Sequence, residues 1–297
     1  MIHEICKDVI QRLRINRFIE TGTFVGETIA KVCDWFQEAD PSFGTVTQKV
    51  ENEYLGSLFP LRKVKYPVFS NSKNSAQTKI YSVDLDKKRQ EILSEQFSSN
   101  PCVNFMCGSS EKFIKDAIDS GLIKDDDNNL FFLDAHLGES WPLRAEIQEI
   151  LRLKRSVIVI DDFLVPYHPL YGFDIYKTQI CGWYYIRDLF KGKKNHVYYP
   201  KNMSSGLDLF NLNNRGTVVI FSGYQKSEIA FMDDLPCFKP LFFKGALLMT
   251  PVLKTILLFL TYSGLYPLLL NFYFYKKYGS VDKAPSFQQE RFSDGGK

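Results

Sequence analysis

Five carboxylates stand where short apolar runs stop. Glu20 follows RFI, Asp84 follows KIYSV, Asp134 follows LFFL, and the pair Asp161-Asp162 follows SVIVI. Any one of them alone fits a helix N-cap. As a set they suggest chemistry. Three carboxylates converging at neighbouring strand ends repel one another when empty. A hard divalent cation relieves that repulsion, and Mg²⁺ takes few protein ligands and keeps open positions. Neighbouring hydroxyls of a substrate would fill those positions, and the metal would lower a hydroxyl pKa. Asp134, Asp161 and Asp162 are therefore the expected metal ligands. His136, two residues past Asp134, is an expected general base or further ligand, with Asp134 as the other candidate base. His168, in VPYHPLYG, reads as a polar loop residue. Trp141 and Tyr167 offer flat faces that pack on sugar rings, although core packing suits Trp141 better.

The stretch RFIETGTFVGET places an acid before two glycines four apart. Gly22 and Gly26 let the backbone turn tightly and approach a ligand. The helix that starts near Gly26 points free N–H groups back at the turn, which suits a carboxylate or a phosphate. A dinucleotide turn would read GxGxxG, whereas this one reads GTFVG and lacks the P-loop lysine. With Glu20 ahead of the first glycine, the turn favours a ligand that carries a positive group.

Elements must bring these residues together. Strands are expected to end at 20 and to span 79–84, 103–106, 130–134, 156–161, 196–199 and 217–221. The fourth and fifth are continuous apolar runs, as parallel strands covered on both faces require. Helical patterns lie between them at 87–97 and 109–120, and from Pro142 to about Lys154. This alternation gives an α/β sheet with helices on both sides, and ligands of such sheets bind beyond the carboxyl ends of the strands. Residues 35–78 form an insertion rich in proline and glycine, of a length typical of lids, contact surfaces or disordered loops.

With those motifs in order, the chain resembles the class I S-adenosylmethionine-dependent methyltransferases over about residues 15–222. Glu20-Thr-Gly-Thr-Phe-Val-Gly26 looks like their first motif, with Phe24 where many members carry glycine. Ile80-Tyr-Ser-Val-Asp-Leu-Asp86 looks like their second strand, and Cys107-Gly-Ser-Ser110 like their polar turn beside the adenine. The acids Asp134, Asp161 and Asp162 are similar to the magnesium site of macrocin-type sugar O-methyltransferases. The resemblance implies a Rossmann-like methyltransferase fold with a seven-stranded, mostly parallel sheet. It implies S-adenosylmethionine held by Glu20, Thr21, Gly22, Thr23 and Gly26, with Asp84 on the ribose and Ser109 and Ser110 at the adenine. It implies a Mg²⁺-dependent O-methylation of a sugar or related hydroxyl. Two other readings stay open: a metal-dependent enzyme on this fold without methyl transfer, and a membrane-tethered interaction protein without catalysis.

The 297 residues suit one large domain with an appendage, and 45% hydrophobic with 24% charged residues is ordinary for a globular protein. A net charge of +3 gives no case for a nucleic-acid partner. Cys6, Cys33, Cys102, Cys107, Cys181 and Cys237 form no CxxC pair and read as reduced, mostly buried thiols. The expected domain is 1–240, followed by an apolar helical extension at 241–280 and a polar tail at 281–297. Residues 255–275, TILLFLTYSGLYPLLLNFYFY, carry no charge and are long enough to span a bilayer. Gly264, Pro267 and Asn271 interrupt them. The alternatives are a buried hairpin, a homodimer surface, and a monotopic anchor that would hold a cytoplasmic protein to a membrane surface through 241–278.

Overall fold

The computed structural model describes residues 4–39, 45–53, 62–70, 78–135, 141–165, 171–176, 179–200, 215–235 and 237–238. Two compact units divide the chain. One comprises residues 1–49, 66–206 and 212–241, and the other 50–65, 207–211 and 242–297. Residues 166–170, inside the loop expected at 164–172, the extension at 241–280 and the tail at 281–297 lie outside the described residues, as does His136.

In chain order the elements are α1 (Ile5–Arg12), β1 (Arg17–Thr21), α2 (Glu27–Ala39), β2 (Thr45–Glu53), β3 (Arg62–Ser70), β4 (Lys79–Asp84), α3 (Lys87–Gln96), β5 (Val103–Cys107), α4 (Ser110–Asp119), β6 (Asn129–Leu133), α5 (Leu143–Ile150), β7 (Ser156–Ile160), β8 (Ile175–Tyr176), β9 (Gln179–Ile180), α6 (Trp183–Ile186), β10 (Asn195–Pro200), β11 (Val218–Ser222) and β12 (Cys237–Phe238). The main sheet has the order β12-β10-β11-β7-β6-β1-β4-β5. β5, β4, β1, β6 and β7 pair in parallel, and β11 runs antiparallel to both β7 and β10. Seven strands with one reversed give the Rossmann-like methyltransferase fold that the motif order implied. The eighth, β12, adds two residues at one edge.

Burial follows from the apolar runs. Ile19, Phe131, Leu133, Ile158, Ile160, Val218 and Ile220 point to one face of the sheet and join a single core with Leu143, Ile147 and Ile150 of α5. Side chains alternate across a strand, so Phe18, Phe132, Val157 and Val159 face the other way, and they are equally buried. On α5 the stripe Leu143, Glu146, Ile147 and Ile150 is buried, the spacing of one helical face. The helix expected to reach Lys154 stops at Ile150, where Leu151 caps it and a turn follows. Pro142 is its N-cap rather than its first helical residue. The insertion, whose composition suits a lid or loop, contributes the strands β2 and β3, paired in a two-stranded sheet of their own.

All six cysteines are unbridged thiols, four of them buried, with Cys107 exposed.

Candidate active site

Register builds the site. Thr21 pairs with Val83 on one side and Leu133 on the other, and Leu133 pairs with Ile160. The next residue of each strand therefore stands in one row: Gly22, Asp84, Asp134 and Asp161. The row crosses β1, where successive connections leave for opposite sides of the sheet. Such a switch point is where α/β sheets bind ligands. β11 arrives from the other direction, and Val218 lies opposite Ile160, so the residues before β11 meet the residues after β7.

The turn after β1 is built on left-handed backbone. Gly22, Phe24 and Gly26 have φ of +85°, +48° and +77°. At Gly22 a side chain is impossible, since a Cβ would come within 2.5 Å of the Asp134 carbonyl oxygen. Phe24 takes a left-handed conformation that a glycine adopts freely. Its amide donates to Asp84 Oδ2 at 3.1 Å, while the Asp86 amide donates to Oδ1 at 3.0 Å. The Phe24 ring is exposed and lies 5.2 Å from the Arg89 guanidinium.

Beneath the turn runs a directional hydrogen-bond chain. The Gln90 amide donates to Thr23 Oγ1 at 2.8 Å, Thr23 and Ser82 share a 2.7 Å bond, and Ser82 donates to Glu20 Oε2 at 2.5 Å. Ser82 has one proton and gives it to Glu20, so Thr23 is the donor in the middle link. All four side chains are buried. Burial pushes the Glu20 carboxyl up to about 8, partly opposed by the Ser82 hydrogen bond. Sequence reasoning aims Glu20 and Thr23 at a ligand; in the structure both take part in this network beneath the turn.

Thr21 and Ser110 are likewise turned inward. Their hydroxyls face the buried Glu146 carboxyl and lower it against the upward push of burial. Glu146 is 1% exposed, and burial pushes it up to about 7. Ser109 is different. It is the N-cap of α4, its hydroxyl makes no cap hydrogen bond, and it is half-buried. Beside it a Cβ on Gly108 would meet nothing within 4 Å. Phe24, Leu85 and Met106, three of the five exposed large apolar side chains among the described residues, stand at the ends of β1, β4 and β5.

Asp134, Glu146, Asp161, Asp162 and Asp174 line one cavity of about 10 Å³, together with Trp141, Leu143 and Cys181. That volume suits one water molecule. Trp141 stacks on Tyr185, with centroids 4.7 Å apart and planes 6° apart. Arg144 holds Tyr185 in turn, bonding its carbonyl and forking onto Asp188 at 2.8 and 2.7 Å. Tyr167, the other expected sugar platform, and His168 lie outside the described residues.

The three residues before β11 clasp the three after β7. Arg215 Nε meets Asp162 Oδ1 at 3.0 Å, and Nη1 meets Asp174 Oδ1 at 3.5 Å. The Gly216 carbonyl accepts from the Phe163 amide at 2.7 Å. A Cβ on Gly216 would sit 2.1 Å from the Phe163 carbonyl oxygen. Thr217 Oγ1 donates to Asp161 Oδ1 at 3.1 Å. Asp162 has φ of +52°, a conformation that Asp tolerates better than most residues. Burial pushes its carboxyl up, Arg215 pulls it down, and Asp174, Asp161 and Asp134 add to the push.

The expected metal ligands thus share a cavity, but as they stand they do not fit a metal. Among the described residues no three His, Cys, Asp or Glu side chains form a group that could hold one. Asp162 is engaged by Arg215 and Asp161 by Thr217.

Sequence reasoning missed Glu146, Asp174 and the run Arg215-Gly216-Thr217. Glu146 left a signal, as an acid inside an otherwise apolar helical stripe. The clasp left one too: RGT precedes a strand that returns beside β7.

No protein-family model and no curated protein matches this chain. Solved structures do resemble it. An O-methyltransferase from Bacillus cereus, in complex with SAH, matches with 11% identity and a TM-score of 0.42 over 75% of this chain and 82% of that one. The O-methyltransferase TomG from Streptomyces achromogenes, in complex with SAM, matches with 11% identity and a TM-score of 0.39, over 73% and 77%. The CMeT domain of the citrinin polyketide synthase matches with 11% identity and a TM-score of 0.42 over 71% of this chain, which spans 47% of that one. At TM-scores below 0.5 these likenesses carry nothing about substrate or mechanism. No helix among the described residues is long and apolar enough to cross a membrane, and residues 255–275 lie outside them.

Proposed function

We propose that this protein transfers a methyl group from S-adenosylmethionine to a hydroxyl oxygen of a sugar or related acceptor. The observation that carries the reading is the row across the sheet. A left-handed turn held by Asp84 stands at the switch point, beside a cavity lined by Asp134 and Asp161.

When bound, the donor supplies an electrophilic methyl on a sulfonium. Gly22, Phe24 and Gly26 shape the turn against its methionine end, and Asp84 and Ser109 border its adenosine. The exposed faces of Phe24, Leu85 and Met106 suit a flat apolar base. Glu20, Thr21, Thr23 and Ser110 support this wall from beneath. Trp141, braced by Tyr185, offers a ring face to the acceptor. With the donor bound, Asp134 or His136 would take the proton of the acceptor hydroxyl as its oxygen received the methyl group. The protein contributes alignment and a proton acceptor.

Residues 255–275 would hold the enzyme at a membrane surface, where a lipid-linked glycan is within reach. Partition of the full chain between vesicles and buffer tests that part.

Titration of the full chain with S-adenosylhomocysteine tests the core of the reading. We expect saturable micromolar binding, and a chain that binds no S-adenosylhomocysteine is not a methyltransferase of this kind.

A further inference from the structure

We infer that Arg215 is the resident counter-cation of Asp162 and Asp174 in the acid cavity, taking up acid that a divalent metal was expected to hold. The inference rests on reading this cavity as the acceptor end of the methyl-transfer site.

Four aspartates, Asp134, Asp161, Asp162 and Asp174, line a cavity that has room for one water molecule. Such a set needs a positive charge close by. Arg215 supplies it, reaching Asp162 at 3.0 Å and Asp174 at 3.5 Å. Its placement is fixed by backbone, because Gly172 pairs with Arg215 and the Gly216 amide donates to the Gly172 carbonyl at 2.8 Å. The Asp174 amide donates in turn to the Asp162 carbonyl at 2.8 Å. A guanidinium suits this position: it is charged at every accessible pH, and its rigid fork serves two carboxylates at once. Mg²⁺ would need near-octahedral oxygens at about 2.0–2.1 Å. Here Asp162 Oδ1 already meets Arg215, and Asp161 Oδ1 already accepts from Thr217. Arg215 is thus a positioning residue, acting through Asp162 and Asp174 on the shape and charge of the cavity.

The test uses the full chain, stripped with chelator and titrated with MgCl₂ alone, with melting followed in parallel. We expect the wild type to show no saturable Mg²⁺ binding and no Mg²⁺-dependent rise in melting temperature. R215Q leaves the acids without their cation and is expected to bind Mg²⁺ at least about tenfold more tightly than the wild type. R215K restores the charge and is expected to return to the wild-type indifference, which a merely structural role for the side chain would not produce. Saturable Mg²⁺ binding by the wild type overturns the inference, as does a folded R215Q that gains none. Should R215Q fail to fold, the wild-type titration decides alone. S-adenosylhomocysteine binding, measured in EDTA on the same samples, separates the two readings: its absence removes the methyl-transfer assignment and leaves the role of Arg215 as counter-cation intact.

Discussion

The amide of Phe24 donates to the carboxylate of Asp84 at 3.1 Å, across the gap between the first turn and the end of β4. The second oxygen of Asp84 accepts from the Asp86 amide, so one side chain ties together two loops that the proposed donor would touch. D84N can keep only one of these bonds and turns a donor toward the other amide. We expect it to weaken S-adenosylhomocysteine binding by roughly 10- to 100-fold, measured by isothermal titration, with the melting temperature little changed.

Gly22 and Gly216 are fixed by what they touch. G22A would set a Cβ 2.5 Å from the Asp134 carbonyl oxygen on a backbone with φ of +85°, and G216A a Cβ 2.1 Å from the Phe163 carbonyl oxygen. Each is expected to lower stability by roughly 3 kcal/mol or more, read from denaturant unfolding. A change within about 0.5 kcal/mol would mean that these turns are looser than the geometry states.

Thr217 satisfies one oxygen of a buried carboxylate. T217V keeps the shape and removes the donor. We expect a loss of about 2 kcal/mol, while a change to Ser, which keeps the hydroxyl, costs less.

Glu20 makes stability depend on pH. Its carboxyl moves from an ordinary 4.5 to about 8 in the fold. Between those values the folded chain keeps a proton that the unfolded chain has lost, so stability falls as pH rises from about 4.5 to about 8. E20Q is permanently neutral and should flatten that decline, removing on the order of 5 kcal/mol of it. Glu146, pushed up to about 7, leaves a smaller slope of the same sign in the variant. Unfolding curves at several pH values check both, and an E20Q slope equal to that of the wild type would refute the burial argument.

The parts of the fold that were legible share a cause. β4 matched its expected span of 79–84, and β6 and β7 were found to within a residue, the latter two because parallel strands buried on both faces read as continuous apolar runs. The acids at their ends were legible for the same reason, since a charge after such a run has to sit at a sheet edge. What stayed hidden depends on contacts that no local pattern encodes. Nothing near Phe24 shows that it turns left-handed. Nothing in ETGTF shows that Glu20 and Thr23 turn inward, because their partners Ser82 and Gln90 are some sixty residues away. The acids suggested a metal because their counter-charge, Arg215, lies 53 positions beyond Asp162 and becomes a neighbour only through the antiparallel pairing of β11 with β7.

That pairing also sets an order of assembly. β11 lies between β7 and β10 in the sheet, yet it follows both in the chain. During synthesis the aspartates of the cavity emerge well before the arginine that pairs with two of them. The parallel half of the sheet can form without β11, but the cavity cannot take its native shape until this late strand has entered between two earlier ones. Long-range pairings of this kind close slowly, so the acid cavity is expected to mature after the turn that follows β1.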